Sequence, residues 1–191
     1  MKNVSSLATL TPSVGRRDHI QGRSTAAVTL VEYGDYQCPF CGNTYPIIQK
    51  LQKQFGDQLR FVFRNFPLPQ VHAYAQRAAE AAEAAAAQGK FWEMHDYLYE
   101  HQEALDAENL GRAADLIGLD RVQFNRDVAE RVYADCVQED IRSGIDSGVG
   151  GTPTLFINGV RNDDDDDFDT LKAKIDEAIL IANASKGKRR S

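Results

Sequence analysis

The sequence predicts an α/β fold, with a central mixed sheet flanked by helices and interrupted by an inserted all-helical block. Three strand-like segments support the sheet: Val28 to Tyr33, Leu59 to Phe66 and Thr154 to Ile157. No further strand pattern is found between Gln70 and Ser147. The closing stretch, Phe168 to Ile181, places apolar residues at helical spacing and predicts a final helix.

The first strand, VTLVEY, is apolar on both alternating faces, which is typical of a central strand covered on both sides. After a short loop, a helix is expected from about Pro39 to Phe55, because proline suits the first helical turn. The second strand, from Leu59 to Phe66, ends at two closely spaced prolines. This order is the β-α-β half of the predicted sheet.

The middle of the chain begins with the alanine-rich stretch VHAYAQRAAEAAEAAAAQ, a strong helix former. Asp106 is suited to cap a further helix that ends at Gly118, and Asp120 with Gln123 resembles a capping box. After this block, Asn158-Gly159 predicts a two-residue hairpin turn.

These patterns divide the chain into a core and three additions. Residues 18–69 and 148–182 form the α/β core, and residues 70–147 form the inserted helical subdomain. Residues 1–17 are expected to be a flexible leader and residues 183–191 a flexible basic tail.

Composition limits the function classes. The chain has 191 residues and a formal net charge of -6, which argues against nucleic acid as a partner. No stretch approaches the roughly 20 apolar residues of a membrane span. Polar residues interrupt every apolar run of the N-terminus, so no secretory signal is visible and a cytoplasmic location is expected. The alternative is a periplasmic or other extracytoplasmic location, if a signal segment has been removed.

The most informative motif is Cys38-Pro39-Phe40-Cys41, which follows a buried strand and begins a helix. The free N–H groups of a helix start favour a negative charge on the first sulfur. A stabilised thiolate is both a reactive nucleophile and a good leaving group. We therefore expect Cys38 to attack and Cys41 to resolve the mixed disulfide.

Two other interpretations of the cysteine pair remain open from the motif alone. Zinc sites use the same spacing but need four ligands, and the chain has no second motif of this kind. The remaining candidate ligands are Cys136, His19, His72, His95 and His101. Alternatively, the two cysteines are buried and inert.

The stretches VTLVEYGDYQCPFC and GVGGTPTLFING resemble the thioredoxin superfamily and, within it, the DsbA-like branch, which carries a helical insertion. The resemblance covers about residues 18–181 and implies a thioredoxin fold. It also implies that the Thr152–Pro153 bond is cis and offers the backbone of Thr152 to an extended peptide substrate. The alternative is that Pro153 merely starts a strand.

Glu32 lies six residues before Cys38, where the resembling family carries a buried acid. It is the only charged residue in an otherwise apolar strand. Burial should raise its pKa and let it take the proton of Cys41. The alternative is a salt bridge from Glu32 to Arg64 or another cation.

Phe40 departs from the pattern of the strong oxidants in this family, which carry histidine there. Without that histidine, the reduction potential should fall by tens of millivolts, since one pKa unit corresponds to about 30 mV. A reductase or general exchange role is then as well supported as an oxidase role.

The predicted function is thiol–disulfide exchange on protein or peptide thiols, which contact an apolar surface around Pro39, Phe40 and Pro153. Glutathione or a thioredoxin-type reductant is a further possible partner, and no organic cofactor or metal is implied. Two alternatives are a non-redox peptide-binding module and a glutathione-dependent small-molecule isomerase or transferase.

Two other features are given structural roles. The acidic run from Asp163 to Asp167 lacks the glycine and spacing of a calcium loop, and it is expected to be a solvated turn that caps the next helix. Cys136 is expected to be a small buried hydrophobic residue rather than a second redox centre.

Overall fold

The computed structural model describes residues 8–188. Strands lie in the first and last parts of this range, each time together with helices, and helices alone occupy its middle. In chain order the elements are β1 (His19–Gln21), β2 (Val28–Gly34), α1 (Pro39–Phe55), a 3₁₀ turn (Gly56–Gln58), β3 (Leu59–Asn65), α2 (Ala75–Ala86), α3 (Phe91–Glu100), α4 (Ala107–Leu116), α5 (Arg121–Ala129), α6 (Ala134–Asp146), β4 (Thr154–Ile157), β5 (Val160–Arg161) and α7 (Phe168–Lys188).

Within residues 8–188 the strands form one five-stranded sheet in the order β1-β3-β2-β4-β5. Strands β2 and β3 run parallel, and the other pairs are antiparallel. The predicted mixed sheet with a helical insertion is therefore confirmed. Strand β1 was not predicted, because three residues are too few to show an alternating pattern.

The two faces of the sheet pack against different elements. Leu30 belongs to the larger core, which α1, α3 and α7 cover. Val31 and Tyr33 belong to a smaller core on the other face, against which Ile141 of α6 packs. Because side chains alternate along a strand, Glu32 points to the same side as Leu30, toward α1.

The helical block packs closely because its first helix is built from small residues. Five alanines of α2 have no exposed surface and belong to the larger core: Ala78, Ala81, Ala82, Ala84 and Ala85. Asp106 caps α4 and Asp120 caps α5 through their carboxylates, as the sequence predicts. No helix in the described part of the chain is long and apolar enough to cross a membrane.

The two ends of the chain differ from the predicted flexible segments. Residues 8–17 pack against the smaller core: Leu10 N–H donates to the Gly159 carbonyl and Thr11 N–H to the Ser147 hydroxyl. The sequence gives no local sign of this packing, because the partners of the segment lie more than 130 residues away. At the other end, α7 continues to Lys188, so residues 183–188 are helical. Residues 1–7 and 189–191 of the predicted leader and tail lie outside the described residues.

Candidate active site around Cys38 and Cys41

The loop after β2 places the cysteine pair at the start of α1. Cys38 is the N-cap residue, with extended backbone angles, and the helix begins at Pro39 as predicted. A turn holds this position, because Cys38 N–H donates to the Asp35 carbonyl at 3.1 Å. Cys38 is 3% exposed and Cys41 is fully buried, and both are free thiols. Cys38 is thus the more accessible of the two.

The fold brings the segment around Pro153 against Cys38 from 114 residues away in sequence. The Thr152–Pro153 peptide bond is cis. The Cys38 thiol donates a hydrogen bond to the Thr152 carbonyl at 3.3 Å. The Thr152 hydroxyl is buried and has no other partner in residues 8–188. It is therefore free to donate to Cys38 when that sulfur is ionised.

The two thiols have opposite acid–base properties. The pKa of Cys38 is lowered to about 5, chiefly by a hydrogen bond from the Cys41 thiol, with support from backbone amides and from Thr152. Burial raises the pKa of Cys41 well above that of a free thiol. With this pKa, Cys38 is a thiolate at neutral pH: it no longer donates to the Thr152 carbonyl, and it accepts instead from the neutral Cys41 thiol.

Glu32 lies behind the pair and is 1% exposed. Its pKa is raised to about 8, first by burial and then by the charges of Asp166 and Cys38. The alternative salt bridge to Arg64 is wrong, because Arg64 lies on the other face and donates to Asp18 at 2.7 Å. Glu32 forms no ion pair within residues 8–188.

An apolar surface surrounds the cysteine pair. Phe40 is 67% exposed and Pro39 is also exposed. The loop after β3 adds Val71 at 69% and Tyr74 at 43% exposure. This loop adjoins the site, because Tyr74 N–H donates to the Gln37 side chain. Exposed apolar residues grouped in this way mark a contact surface.

Comparison with known proteins decides the family. A family model described as Thioredoxin matches residues 15–177. The chain belongs to the thioredoxin family. It is 43% identical over 166 residues to a Na⁺/H⁺ antiporter, NhaA 3, of Salinispora tropica; this match covers 87% of the chain but only 25% of the antiporter.

Solved structures give the same assignment within the thioredoxin family. BdbD from Bacillus subtilis in its oxidised form superposes with a TM-score of 0.82 at 26% identity, covering 91% of this chain and 98% of that one. The thiol-disulfide exchange protein α-DsbA2 from Wolbachia pipientis superposes with a TM-score of 0.70 at 25% identity, covering 84% and 86%. The structural neighbours of this thioredoxin-family chain are therefore DsbA-like.

The structure adds residues to the thioredoxin-family site that the sequence did not indicate. Gln102, in the loop after α3, donates from Nε2 to the carbonyls of Tyr36 and Cys38, both at 2.9 Å. A Cβ atom at Gly42 would collide with the Gln102 amide. Gln102 thus fixes the backbone of the cysteine loop at the start of α1. No local sequence pattern predicts this contact, because Gln102 lies more than 60 positions from both carbonyls.

Asp35 is a second residue that the sequence did not indicate. Its carboxylate is buried and accepts from the N–H groups of Gln37 and Leu68 and from His72 Nδ1, all within 2.9 Å. It therefore joins the cysteine loop to the loop after β3, which carries part of the apolar surface.

Two secondary expectations need revision. Cys136 is exposed rather than buried, because it lines an open cleft between α6 and residues 12–19 instead of packing into the core. The acidic run caps α7 as expected, since Asp167 accepts from the N–H groups of Asp169 and Thr170. It is not fully solvated, however: Asp166 is partly buried and contributes to the raised pKa of Glu32.

Proposed function

We propose that the chain catalyses thiol–disulfide exchange on protein or peptide substrates through Cys38 and Cys41. One arrangement carries the proposal: the free Cys38 thiol lies at the N-cap of α1, one helical turn from the buried free thiol of Cys41. This environment lowers the pKa of Cys38 to about 5 and raises that of Cys41. A stabilised thiolate next to a resolving thiol is the arrangement that exchange requires. A zinc site or an inert pair would not need this difference in pKa.

In the proposed exchange, the Cys38 thiolate attacks a substrate disulfide, forming a Cys38–substrate disulfide bond and releasing one substrate sulfur as a thiolate. Cys41 then loses its proton and attacks Cys38, forming the Cys38–Cys41 disulfide and releasing the second substrate thiolate. Two electrons pass from the cysteine pair to the substrate, and the released thiolates take protons from water. The reverse sequence oxidises a substrate dithiol.

Glu32 supplies the proton acceptor for the second step. Its carboxylate lies in the strand that leads to the cysteine loop, and its charge raises the pKa of Cys41. A carboxylate whose pKa is about 8 is a much better base for a thiol than an ordinary glutamate. In the oxidising direction the protonated form returns the proton to Cys41.

The substrate is proposed to be a polypeptide. An extended segment would pair with the backbone at Thr152, beside the cis bond, while its apolar side chains contact Pro39, Phe40 and Pro153. Thiol-disulfide exchange is also the activity in the printed name of the Wolbachia pipientis neighbour. The transport activity named for the antiporter belongs to a much longer protein and is not carried to this chain.

The low pKa of Cys38 favours disulfide donation as the direction. A stabilised thiolate stabilises the dithiol form of the pair and therefore raises the reduction potential. The stabilisation comes from Cys41, backbone amides and Thr152, so it does not depend on a histidine in place of Phe40. We propose that the pair oxidises substrate thiols more readily than it reduces disulfides.

A redox titration against glutathione buffers, read by thiol alkylation and mass spectrometry, tests both the exchange activity and its direction. A reversible two-electron transition above about −230 mV supports exchange and disulfide donation, whereas a midpoint near thioredoxin's value of about −270 mV indicates a reductant. The variant Cys38→Ser should lose all exchange, and Cys136→Ser is the matched control that should keep it. A pair that stays reduced across the series, or that binds zinc, would exclude the proposed activity.

A further inference from the structure

A groove crosses the helical subdomain next to the apolar surface around Cys38. Its first part has a volume of about 440 Å³ and lies between α2 and the end of α5. Tyr74, which belongs to the apolar surface, also lines this groove, together with Val128 of α5. Two arginines, Arg77 and Arg131, supply its positive charge. The groove is therefore continuous with the surface on which a substrate is proposed to dock.

The groove continues beyond Arg77 into a second part. This part has a volume of about 410 Å³ and shares Arg77 and Val128 with the first. Its lining is partly apolar, because the buried side chains of Leu110 and Phe124 contribute to it. Two adjoining parts make the groove elongated, which is a shape that suits an extended polypeptide segment.

Arg77 is a cation without a partner. Its side chain is exposed, and it forms no ion pair or hydrogen bond with any residue between positions 8 and 188. A guanidinium group carries five N–H donors in a planar arrangement that matches a carboxylate. All of these donors of Arg77 are available to a ligand in the groove.

Arg131 is held in place by the carboxylate that lines the first part of the groove. Glu80 is 3% exposed and accepts from Arg131 Nε at 3.2 Å and from Nη2 at 2.7 Å. It also accepts from Gln76 Nε2 at 2.7 Å. The side chain of Arg131 is nevertheless 60% exposed, and its Nη1 group has no partner in the described part of the chain. Glu80 is thus fully paired, while Arg131 keeps free donors.

The groove differs in charge from the protein as a whole. The chain has a formal net charge of -6, whereas the lining of the first part contains two arginines and one glutamate. Because Glu80 already compensates Arg131, the charge of Arg77 is uncompensated. A positive groove in an acidic protein is complementary to an acidic ligand segment.

The distance between Cys38 and Arg77 fits a single substrate segment. Gln37 directly precedes Cys38, and its side chain accepts from Tyr74 N–H at 2.7 Å. Arg77 lies about one helical turn beyond Tyr74. These links limit the distance between the Cα atoms of Cys38 and Arg77 to at most about 18 Å, which an extended chain spans in about five residues.

We propose that this groove binds an acidic segment of the substrate polypeptide, and that an aspartate or glutamate about five residues from the reacting cysteine pairs with Arg77. The inference rests on the proposed exchange activity and deepens it, because it names the class of substrate. Arg77 takes no part in the chemistry at sulfur. It is a specificity-determining residue, since it selects which polypeptides are held over Cys38.

Binding of a labelled peptide without cysteine tests the groove apart from any thiol chemistry. The probe has about thirteen residues, with a central serine, apolar neighbours and glutamates about four to six positions to either side. A second probe carries glutamines in place of the glutamates, and fluorescence anisotropy measures the affinity of both. Arg77→Glu is the test variant. Arg142→Glu is the matched control, since Arg142 is also exposed and unpaired among the described residues and does not line the groove.

Arg77→Glu should weaken binding of the glutamate probe about tenfold, because a repulsion replaces an attraction. Arg77→Lys keeps the charge and should stay within about threefold of the parent. Arg142→Glu makes the same change in net charge and should alter the affinity by less than about twofold, since solvent and salt screen distant charges. Equal weakening in Arg77→Glu and Arg142→Glu would overturn the proposal, as would equal affinity of the parent for the two probes.

A second measurement separates failure of the groove from failure of the exchange activity. Cysteine replaces the central serine of both peptides, and the measured quantity is the second-order rate at which each peptide thiolate attacks Cys38 of the oxidised protein and releases Cys41. Arg77→Glu should slow the glutamate peptide about tenfold and leave the glutamine peptide within about twofold of the parent rate. Glutathione is too short to reach the groove and should react with both proteins equally. Binding through Arg77 without any reaction would reject the exchange activity alone, whereas equal rates with both peptides would reject the groove.

Discussion

Glu32 and Tyr33 are neighbours in β2 and lie on opposite faces of the sheet, in opposite electrostatic environments. On the α6 face, Arg64 donates to Asp18 at 2.7 Å and to the Tyr33 hydroxyl at 2.8 Å. Ser143 completes this network with a hydrogen bond to Tyr33 at 2.9 Å. On the α1 face, Glu32 has an unpartnered oxygen and a raised pKa.

The difference separates a structural cluster from a reactive one. A buried charge that is paired and hydrogen-bonded is held in one protonation state, so it orders the fold but exchanges no proton. A buried acid without a cation can gain or lose a proton near neutral pH. Replacing Arg64 or Tyr33 in the network should thus lower the free energy of unfolding. Replacing Glu32 should instead slow the proposed thiol–disulfide exchange.

Arg64→Met should produce the largest loss of stability. It leaves the buried Asp18 carboxylate and the Tyr33 hydroxyl without their donor, which typically costs about 3–5 kcal/mol. Urea unfolding measures this. Arg60→Met on the same strand, where a single hydrogen bond to Thr29 is lost, should cost about 1 kcal/mol and is the control. Equal losses of unfolding free energy in the two variants would show that the network around Arg64 contributes no more than a single hydrogen bond. The midpoint of Cys38 alkylation, near pH 5, should be unchanged in both variants.

Glu32→Gln should remove a pH dependence of stability. Between pH 4.5 and about 8, the unfolded chain has released the Glu32 proton while the folded chain retains it. Stability therefore falls as pH rises, by up to about 1.4 kcal/mol per pH unit and by about 3 kcal/mol in total at pH 7.

Urea unfolding of the parent and of Glu32→Gln at pH 5 and pH 8 checks this prediction. Other titrating groups contribute to both proteins, so the difference between the two slopes isolates Glu32. Parallel slopes would mean that the Glu32 carboxyl group titrates normally in the folded protein.

Two tyrosines provide an intermediate comparison. Tyr33→Phe removes a hydroxyl that binds Arg64 and Ser143, and it should cost about 1–2 kcal/mol. Tyr99→Phe removes a buried hydroxyl on the α1 face that has no partner among the described residues, and it should be neutral within about 0.5 kcal/mol or stabilising. Thermal or urea unfolding of both variants tests the contrast. A large loss in Tyr99→Phe would reveal a partner for that hydroxyl.

Thr152→Val should have the smallest effect, and the property it changes is the pKa of the Cys38 thiol rather than the stability of the fold. Without the hydroxyl, the pKa of Cys38 should rise by less than about one unit, because Cys41 and the backbone amides provide most of the stabilisation. The pH dependence of the alkylation rate measures it. The Thr154 hydroxyl donates to the Gly151 carbonyl and not to Cys38. The control variant Thr154→Val should therefore leave the pH midpoint of Cys38 alkylation unchanged. A shift of several units would make Thr152 the dominant stabilising group.

The sequence alone determined the features that depend on neighbouring residues. The apolar run of β2, Pro39 at the helix start, the caps at Asp106 and Asp120, and the hairpin turn at Asn158 are local, and each forms as predicted. The cysteine spacing likewise indicated the thiol–disulfide exchange that we propose. Local conformational preferences and period-2 or period-3.6 patterns are visible along the chain itself.

Tertiary structure alone decided which distant residues meet. Arg64 pairs with Asp18 and not with Glu32, Gln102 donates to the Cys38 carbonyl, and residues 8–17 pack against the smaller core. No periodic signal marks such contacts, since they join segments about 50 to 140 positions apart. The acidity of Cys38 and the proton affinity of Glu32 depend on burial and on these partners. Residue identity supplies the titratable groups, and the three-dimensional environment sets their pKa values.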